Sequence, residues 1–212
     1  MPSTPKFAKG VFDFQKNAFP KNKALFETLS QGQSPEALFI TCSDSRIDTG
    51  MITQTGPGEL FVCRNAGNIV PPHGRDGEGM GASIEFAVAA LKVPHIVVCG
   101  HSGCGAMKAA LSGEGLDALP KVRDWISFSQ EAADSVRNTA ADKSDDEKLA
   151  LLTEQNVVLQ LRHLKAHPAV AARLEQGDLA LHGWIYDIKT GDVTAWDEAQ
   201  EKFVPATEFY GE

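Results

Sequence analysis

The segment Ala37-Leu-Phe-Ile-Thr-Cys-Ser-Asp-Ser-Arg46 joins an uninterrupted apolar run to a polar stretch that contains a thiol, a carboxylate and a guanidinium. A second apolar run, His95-Ile-Val-Val-Cys-Gly100, leads directly into His101-Ser-Gly-Cys-Gly105. Short continuous apolar runs are typical of strands that are buried on both faces of a parallel sheet. Because the loops after such strands meet at one edge of the sheet, we expect the two polar stretches to lie close together.

The remaining apolar runs predict an α/β fold. Strands are predicted over 37–42 and 95–99, and residues 60–63 and 179–186 are two further strand candidates. Amphipathic helices are predicted over 79–91, 120–135 and 145–166. A turn at Thr190-Gly191 leads to a last strand that ends near Trp196. The segment 138–146 is predicted to be a surface loop. We therefore expect a four-stranded, mainly parallel sheet with an added antiparallel edge strand and helices on both faces.

The chain of 212 residues is predicted to form a single domain, because it contains no linker rich in proline and serine. Residues 1–31 are interpreted as an N-terminal helical arm with an interruption near Pro20. Phe7, Val11, Phe14 and Phe19 are spaced as one apolar stripe of that arm. Two interpretations of the stripe remain open: it packs on its own domain, or it lies on another subunit.

Composition excludes several classes of protein. The formal net charge of −8 argues against nucleic acid or an anionic membrane as a partner. No apolar run approaches the roughly 20 residues that a membrane-spanning helix needs. The start of the chain lacks the apolar centre of a secretory signal, so a reducing cytoplasm is the expected compartment. In that compartment Cys63 and Cys99, which lie in apolar runs, are interpreted as packing residues, with a ligand role left open for Cys63.

Cys42, His101 and Cys104 form the ligand set that Zn²⁺ prefers. Three protein ligands leave a fourth position open, which distinguishes catalytic from structural zinc. Asp44 is placed to choose between the metal, in a closed state, and the guanidinium of Arg46. The segment is therefore interpreted as a hydrolytic or hydration site.

The expected chemistry depends on how the metal acts on water. Zinc lowers the pKa of a bound water from 15.7 to roughly 7, so that hydroxide is available at neutral pH. Two thiolates donate more negative charge than imidazoles do, which weakens this effect and requires compensation nearby. Asp44 can orient the hydroxide, while Arg46 keeps the carboxylate ionised. We expect a small electrophile.

Three motifs resemble those of the β-class carbonic anhydrases, in the bacterial and cyanobacterial branch that is allied to the plant enzymes. They are Cys42-Ser-Asp-Ser-Arg46, Arg64-Asn-Ala-Gly-Asn68 and Gly100-His-Ser-Gly-Cys-Gly105. The resemblance implies reversible hydration of CO₂ to bicarbonate and a proton, with one Zn²⁺ per chain. It also implies an assembly with a homodimer as the minimum unit, and tetramers or octamers as larger forms.

The resemblance further implies roles for individual residues. It makes Cys42, His101 and Cys104 the zinc ligands and Asp44 with Arg46 a catalytic dyad. Gln33 matches a glutamine that reaches the site from the partner subunit. The substrate channel and its backbone donor are matched by Phe61, Ala66, Phe86 and Gly105. The family carries Tyr where this chain has Phe86, so a hydroxyl contact is missing there.

Two alternatives remain open from the sequence. One is a non-catalytic protein whose zinc is closed by Asp44 and serves only assembly. The other is a related zinc lyase or hydrolase that acts on CS₂ or COS, because the same nucleophile would serve and only the shape of the channel would differ.

Overall fold

The computed structural model describes residues 5–75 and 78–211, with the side chain of Glu78 excepted. The first four residues of the predicted arm therefore lie outside the described residues. The chain divides into two compact units, Met1–Ser34 and Pro35–Glu212, and each is described by itself.

The N-terminal unit is helical, as predicted. It contains α1 (Lys6–Asp13), α2 (Phe19–Lys21) and α3 (Lys23–Leu29), with a π-helical turn, Phe14–Ala18, between α1 and α2. The interruption falls at Asn22, two residues after Pro20, where the backbone leaves the helical region. Three rings of this unit pack on one another with centroid distances of 5.2–5.9 Å: Phe14, Phe19 and Phe26. The side chains of Phe7 and Val11 are exposed.

The second unit is built on a six-stranded sheet. Its strands are β1 (Ala37–Cys42), β2 (Leu60–Asn65), β3 (His95–His101), β4 (Ala180–Tyr186), β5 (Val193–Asp197) and β6 (Lys202–Pro205). The order is β2-β1-β3-β4-β5-β6; the first four strands are parallel, and β5 and β6 are antiparallel additions. The predicted fold class is confirmed, but the sheet has one strand more than the five that were predicted. The additional strand is β6, which forms the edge of the sheet and places β5 inside it. The four residues of β6 are too few to give a periodic signal.

Eight helices surround the sheet in the described part of this unit: α4 (Thr49–Thr53), α5 (Glu78–Glu85), α6 (Gly105–Ser112), α7 (Pro120–Ile126), α8 (Gln130–Thr139), α9 (Asp145–Lys165), α10 (Pro168–Gln176) and α11 (Ala206–Tyr210). A π-helical turn, Phe86–Ala90, continues α5, and a 3₁₀ turn, Ser127–Ser129, joins α7 to α8. The loop predicted over 138–146 is shorter than expected, because α8 continues to Thr139 and α9 begins at Asp145.

Helix α9 has the clearest start signal in the chain. Ser144 and Glu147 form a capping box, in which Ser144 Oγ accepts from the Glu147 N–H and Glu147 Oε2 accepts from the Ser144 N–H. Three acidic residues in the first turn add favourable charge at the positive end of the helix dipole. At 21 residues it is long, yet neither α9 nor any other described helix is long and apolar enough to cross a membrane.

The sheet buries both faces, but unequally. Leu38, Ile40, Ile96 and Val98 face a large core that includes Val157, Leu161 and Leu164 of α9. Phe39, Val97 and Cys99 form a smaller cluster on the opposite face with Trp184, whose indole N–H donates to Tyr210 Oη in α11 at 2.9 Å. The prediction of helices on both faces is confirmed, and the strands place Cys42 and His101 at one edge of the sheet.

Close approach of α9 to the sheet depends on glycine in β4. A Cβ atom added at Gly183 would lie 2.8 Å from Val157 Cγ1 and 2.9 Å from Leu161 Cδ1, so Gly183→Ala should destabilise the protein by about 1–3 kcal/mol. Urea denaturation measures this change. The matched control is Gly81→Ala in α5, where no described atom lies within 4 Å of an added Cβ, and which should be neutral or stabilising by up to about 1 kcal/mol. Equal stability of the two variants would contradict this packing.

Candidate metal centre

Three buried donor side chains converge at the carboxyl edge of the sheet. Cys42 is the last residue of β1, His101 is the last residue of β3, and Cys104 directly precedes α6. Their donor atoms all lie within 4.8 Å of one another, and Cys42 Sγ is 3.9 Å from Cys104 Sγ. The predicted meeting of the two polar stretches is confirmed.

The imidazole of His101 presents an unshared electron pair to this group. Its Nδ1 lies 3.0 Å from the carbonyl oxygen of Ser102, which can only accept, so Nδ1 carries the proton. Nε2 is therefore the free acceptor, and it has no hydrogen-bond partner among residues 5–75 and 78–211 although the side chain is fully buried. A buried acceptor without a donor is costly, and a metal ion would satisfy it.

The thiols of Cys42 and Cys104 shift each other's pKa in opposite directions. The hydrogen bond from Cys104 lowers the pKa of Cys42 well below its usual value, and the bond from the Gly67 N–H lowers it further. The same bond and burial raise the pKa of Cys104 above its usual value. The pair therefore gives up one proton readily and holds the second. Two thiolates side by side require a nearby cation, which fits the charge and softness of Zn²⁺.

Asp44 and Arg46 form a bidentate ion pair beside the metal-donor side chains. Arg46 Nε donates to Asp44 Oδ1 at 2.9 Å and Nη2 donates to Oδ2 at 2.7 Å, while the Arg46 backbone N–H adds a bond of 3.0 Å to Oδ1. These bonds hold the pKa of the Asp44 carboxyl well below its usual value. Asp44 Oδ2 is 3.9 Å from His101 Nε2, so an ionised carboxylate lies next to the group of donors.

The predicted substrate residues lie in different parts of the fold, some beside the donor group and others away from it. Ala66 follows β2 at the edge that carries Cys42, and Gly105 begins α6 next to Cys104. Phe61 lies four residues before the end of β2, about 13 Å along the strand. Its ring packs against Phe86 at 5.9 Å. Gln33 is an exposed residue of the N-terminal unit, and its role stays a prediction.

The other two cysteines lie outside the group of donors. Cys99 is buried in the sheet, where burial raises its pKa to about 12, and half-buried Cys63 also has a raised pKa. All four cysteines are free thiols. The ligand role left open for Cys63 is wrong for this group, because only Cys42 and Cys104 supply sulfur to it.

Comparison with known proteins agrees with this geometry. The family model for carbonic anhydrase matches residues 37–193, which include all three donors and the ion pair. The chain belongs to the β-carbonic anhydrase family. It is 49% identical over 199 residues to carbonic anhydrase of Pseudomonas aeruginosa, with 94% of this chain and 90% of that protein covered. It is 50% identical over 199 residues to carbonic anhydrase 1 of Escherichia coli O157:H7, with 92% and 89% covered.

Solved β-carbonic anhydrases have the same fold. The β-carbonic anhydrase CcaA superposes with a TM-score of 0.92 at 43% identity and covers 94% of this chain and 98% of its own. CafA of Aspergillus fumigatus superposes with a TM-score of 0.83 at 33% identity, covering 91% of each chain.

Metal content provides a direct test of the donor group. We expect about one zinc per chain in the wild-type protein and loss of most of it in Cys104→Ala, because two remaining ligands hold Zn²⁺ poorly. Elemental analysis after dialysis measures this content. The matched control is Cys63→Ala, which removes a half-buried thiol outside the group and should keep its zinc. Full zinc occupancy in Cys104→Ala would contradict the assignment.

Proposed function

We propose that this β-carbonic anhydrase hydrates CO₂ reversibly to bicarbonate and a proton at a zinc ion held by Cys42, His101 and Cys104. The observation that carries the proposal is the buried Cys-His-Cys group next to a carboxylate that is fully engaged by arginine. Zinc bound there supplies the Lewis acidity that makes water a nucleophile near neutral pH.

Asp44 and Arg46 supply orientation. The Arg46 guanidinium donates one hydrogen bond to each carboxylate oxygen, which leaves a lone pair of Asp44 Oδ2 free to accept from the attacking water. Because the pKa of Asp44 is far below neutral, the carboxylate acts as an acceptor and does not compete as an acid. Arg46 Nη2 also donates to the Gly103 carbonyl at 3.2 Å, which ties the ion pair to the loop that carries Cys104.

The substrate side is proposed to use Ala66 and Gly105. The first N–H groups of a helix have no partner within the helix, and those of Ala106 and Met107 bond to the sulfur of Cys104. The N–H of Gly105, the first residue of α6, is therefore the proposed donor to an oxygen of CO₂ or bicarbonate. Ala66 presents only a methyl group, which leaves room for a small apolar molecule at the edge of the sheet.

A homodimer is proposed as the minimum unit. Phe7 and Val11 are 78% and 52% exposed, an apolar stripe that a second subunit would cover. Phe61 lies about 13 Å along β2 from the strand end beside Cys42, and its ring packs against Phe86. We therefore assign Phe61, Phe86 and Gln33 to the site of the partner. One solved chain from a pair of tetrameric β-carbonic anhydrases of Sordaria macrospora superposes with a TM-score of 0.74 at 31% identity. The cytoplasm is the proposed compartment.

Two alternative functions, a purely structural zinc site and an enzyme for CS₂ or COS, can each be distinguished from CO₂ hydration. A purely structural zinc would be closed by Asp44, and both oxygens of Asp44 are instead engaged by Arg46. An enzyme for CS₂ or COS would turn over those substrates faster than CO₂, so assays with all three substrates on one preparation separate the two activities.

Stopped-flow CO₂ hydration tests the ion pair. Asp44→Asn should keep its zinc yet lose about 100-fold or more in kcat/KM, because an amide cannot both accept from water and pair ionically with Arg46. Arg46→Ala should also lose activity, because it frees Asp44 to occupy the open metal position. Asp48→Asn is the matched control: Asp48 Oδ1 caps α4 by accepting from the Met51 N–H, a bond that asparagine preserves. A wild-type rate in Asp44→Asn would contradict the role of the carboxylate.

A further inference from the structure

We infer that Trp125 and Asn156 are positioning residues of the metal centre, which hold the main chain at Ala66 and Gly67 so that the Gly67 N–H donates to the sulfur of Cys42. The inference rests on the proposed function, because it takes Cys42 as a zinc ligand. Both residues lie on helices, Trp125 on α7 and Asn156 on α9.

The contact begins with one peptide unit. The carbonyl of Ala66 accepts a hydrogen bond of 2.9 Å from Trp125 Nε1, and the N–H of Gly67 donates to Cys42 Sγ at 3.4 Å. These two groups belong to the same planar peptide and point in opposite directions. The indole therefore fixes the plane in which the N–H meets the sulfur. A bond accepted at the carbonyl also polarises the peptide and strengthens its N–H as a donor.

The following peptide is held from the other side. The Gly67 carbonyl accepts from Asn156 Nδ2 at 3.1 Å. The Asn156 side chain cannot turn over, because its Oδ1 already accepts from Ser129 Oγ at 2.7 Å and from Gln160 Nε2 at 2.8 Å. Asn156 is fully buried, so this orientation is enforced without competition from water.

Gly67 itself cannot be replaced without moving this peptide. Its φ is +83°, and an added Cβ would lie 2.8 Å from Met107 Cε and 3.1 Å from Ala106 Cβ in α6. The loop is closed at its ends by Asn65, whose amide exchanges bonds of 2.7 and 2.9 Å with the main chain of Ile69. Four separate constraints thus converge on the direction of one N–H group.

The consequence for the metal centre is electrostatic. Two thiolates donate more charge to Zn²⁺ than two imidazoles would, which lowers its acidity toward water. An N–H bond to one sulfur withdraws part of that charge and also opposes release of the ligand. Trp125 and Asn156 act on the metal through this bond, without touching it.

Packing alone predicts a different result for Trp125. Its ring lies edge-on to Phe128 at a centroid distance of 6.0 Å, and an aromatic anchor needs only that contact. Trp125→Phe keeps an aromatic ring and removes the N–H. Benzothienylalanine at position 125 keeps the size and shape of indole as well, and lacks only the donor. The matched control is Trp196→Phe, the same change on β5, where the ring packs on Phe203 at 5.3 Å.

The test uses the zinc protein and its cobalt-substituted form. Both position-125 variants should release zinc to a chelator about 5- to 10-fold faster than the wild-type protein. This effect is smaller than that of removing a residue bonded directly to a metal ligand, because Trp125 acts through one intervening peptide. They should also shift the sulfur-to-cobalt charge-transfer band to lower energy, because a thiolate without its hydrogen bond gives up electrons more easily. Trp196→Phe should leave the release rate and the band at wild-type values.

The outcomes separate this inference from the proposed function. A band and a release rate unchanged in both position-125 variants, or changed equally in Trp196→Phe, would contradict the positioning role. A lower melting temperature with an unchanged band would also contradict it, since packing alone explains that result. A wild-type protein that binds no metal, or shows no sulfur-to-cobalt band, would instead contradict the zinc site itself.

Discussion

The approach of two thiols to 3.9 Å in a buried position is the constraint on which the rest of this structure depends. Such a pair holds on to one proton, and only a cation lets both sulfurs ionise. The free electron pair of His101 Nε2 completes a set of donors that suits Zn²⁺. The folded chain therefore prepares a metal site whose unfavourable electrostatics are relieved by the metal.

The parallel sheet makes that approach possible. Cys42 ends β1 and His101 ends β3, and these two strands pair directly in the sheet. Cys104 follows His101 after one tight turn, immediately before α6 begins. The same edge carries the Asp44–Arg46 pair, whose geometry keeps the carboxylate ionised and engaged. Because α9 packs closely on the strands through Gly100 and Gly183, its polar side chains can reach the loop that touches Cys42.

Local sequence patterns predicted those elements and site residues whose signal lies within a few consecutive residues. The strand ending at Cys42 was predicted with its observed bounds, and the three donors follow from residue type and spacing. Strand β6 was missed because four residues carry no period. Helix α10 was missed as well, although Pro168 at its first turn and Gly177 after its end mark its bounds.

Long-range polar contacts could not be predicted in this way. Asn156 and Gln160 lie inside an amphipathic helix, and nothing local tells that their amides bond to a loop about 90 residues earlier in the chain. The sequence indicated only that Trp125 is a packing residue, and not that its indole N–H bonds to the carbonyl of Ala66. Gly67 stood within a motif, yet its N–H bond to Cys42 depends on a positive φ that sequence alone does not disclose.

X-ray absorption at the zinc edge of the wild-type protein measures the ligand set itself. We expect two sulfur ligands at about 2.3 Å, one imidazole nitrogen at about 2.0–2.1 Å, and one further light ligand. Replacement of Asp44 by asparagine should leave the sulfur count unchanged. A zinc surrounded only by nitrogen and oxygen, or by four sulfurs, would contradict the assignment of Cys42, His101 and Cys104.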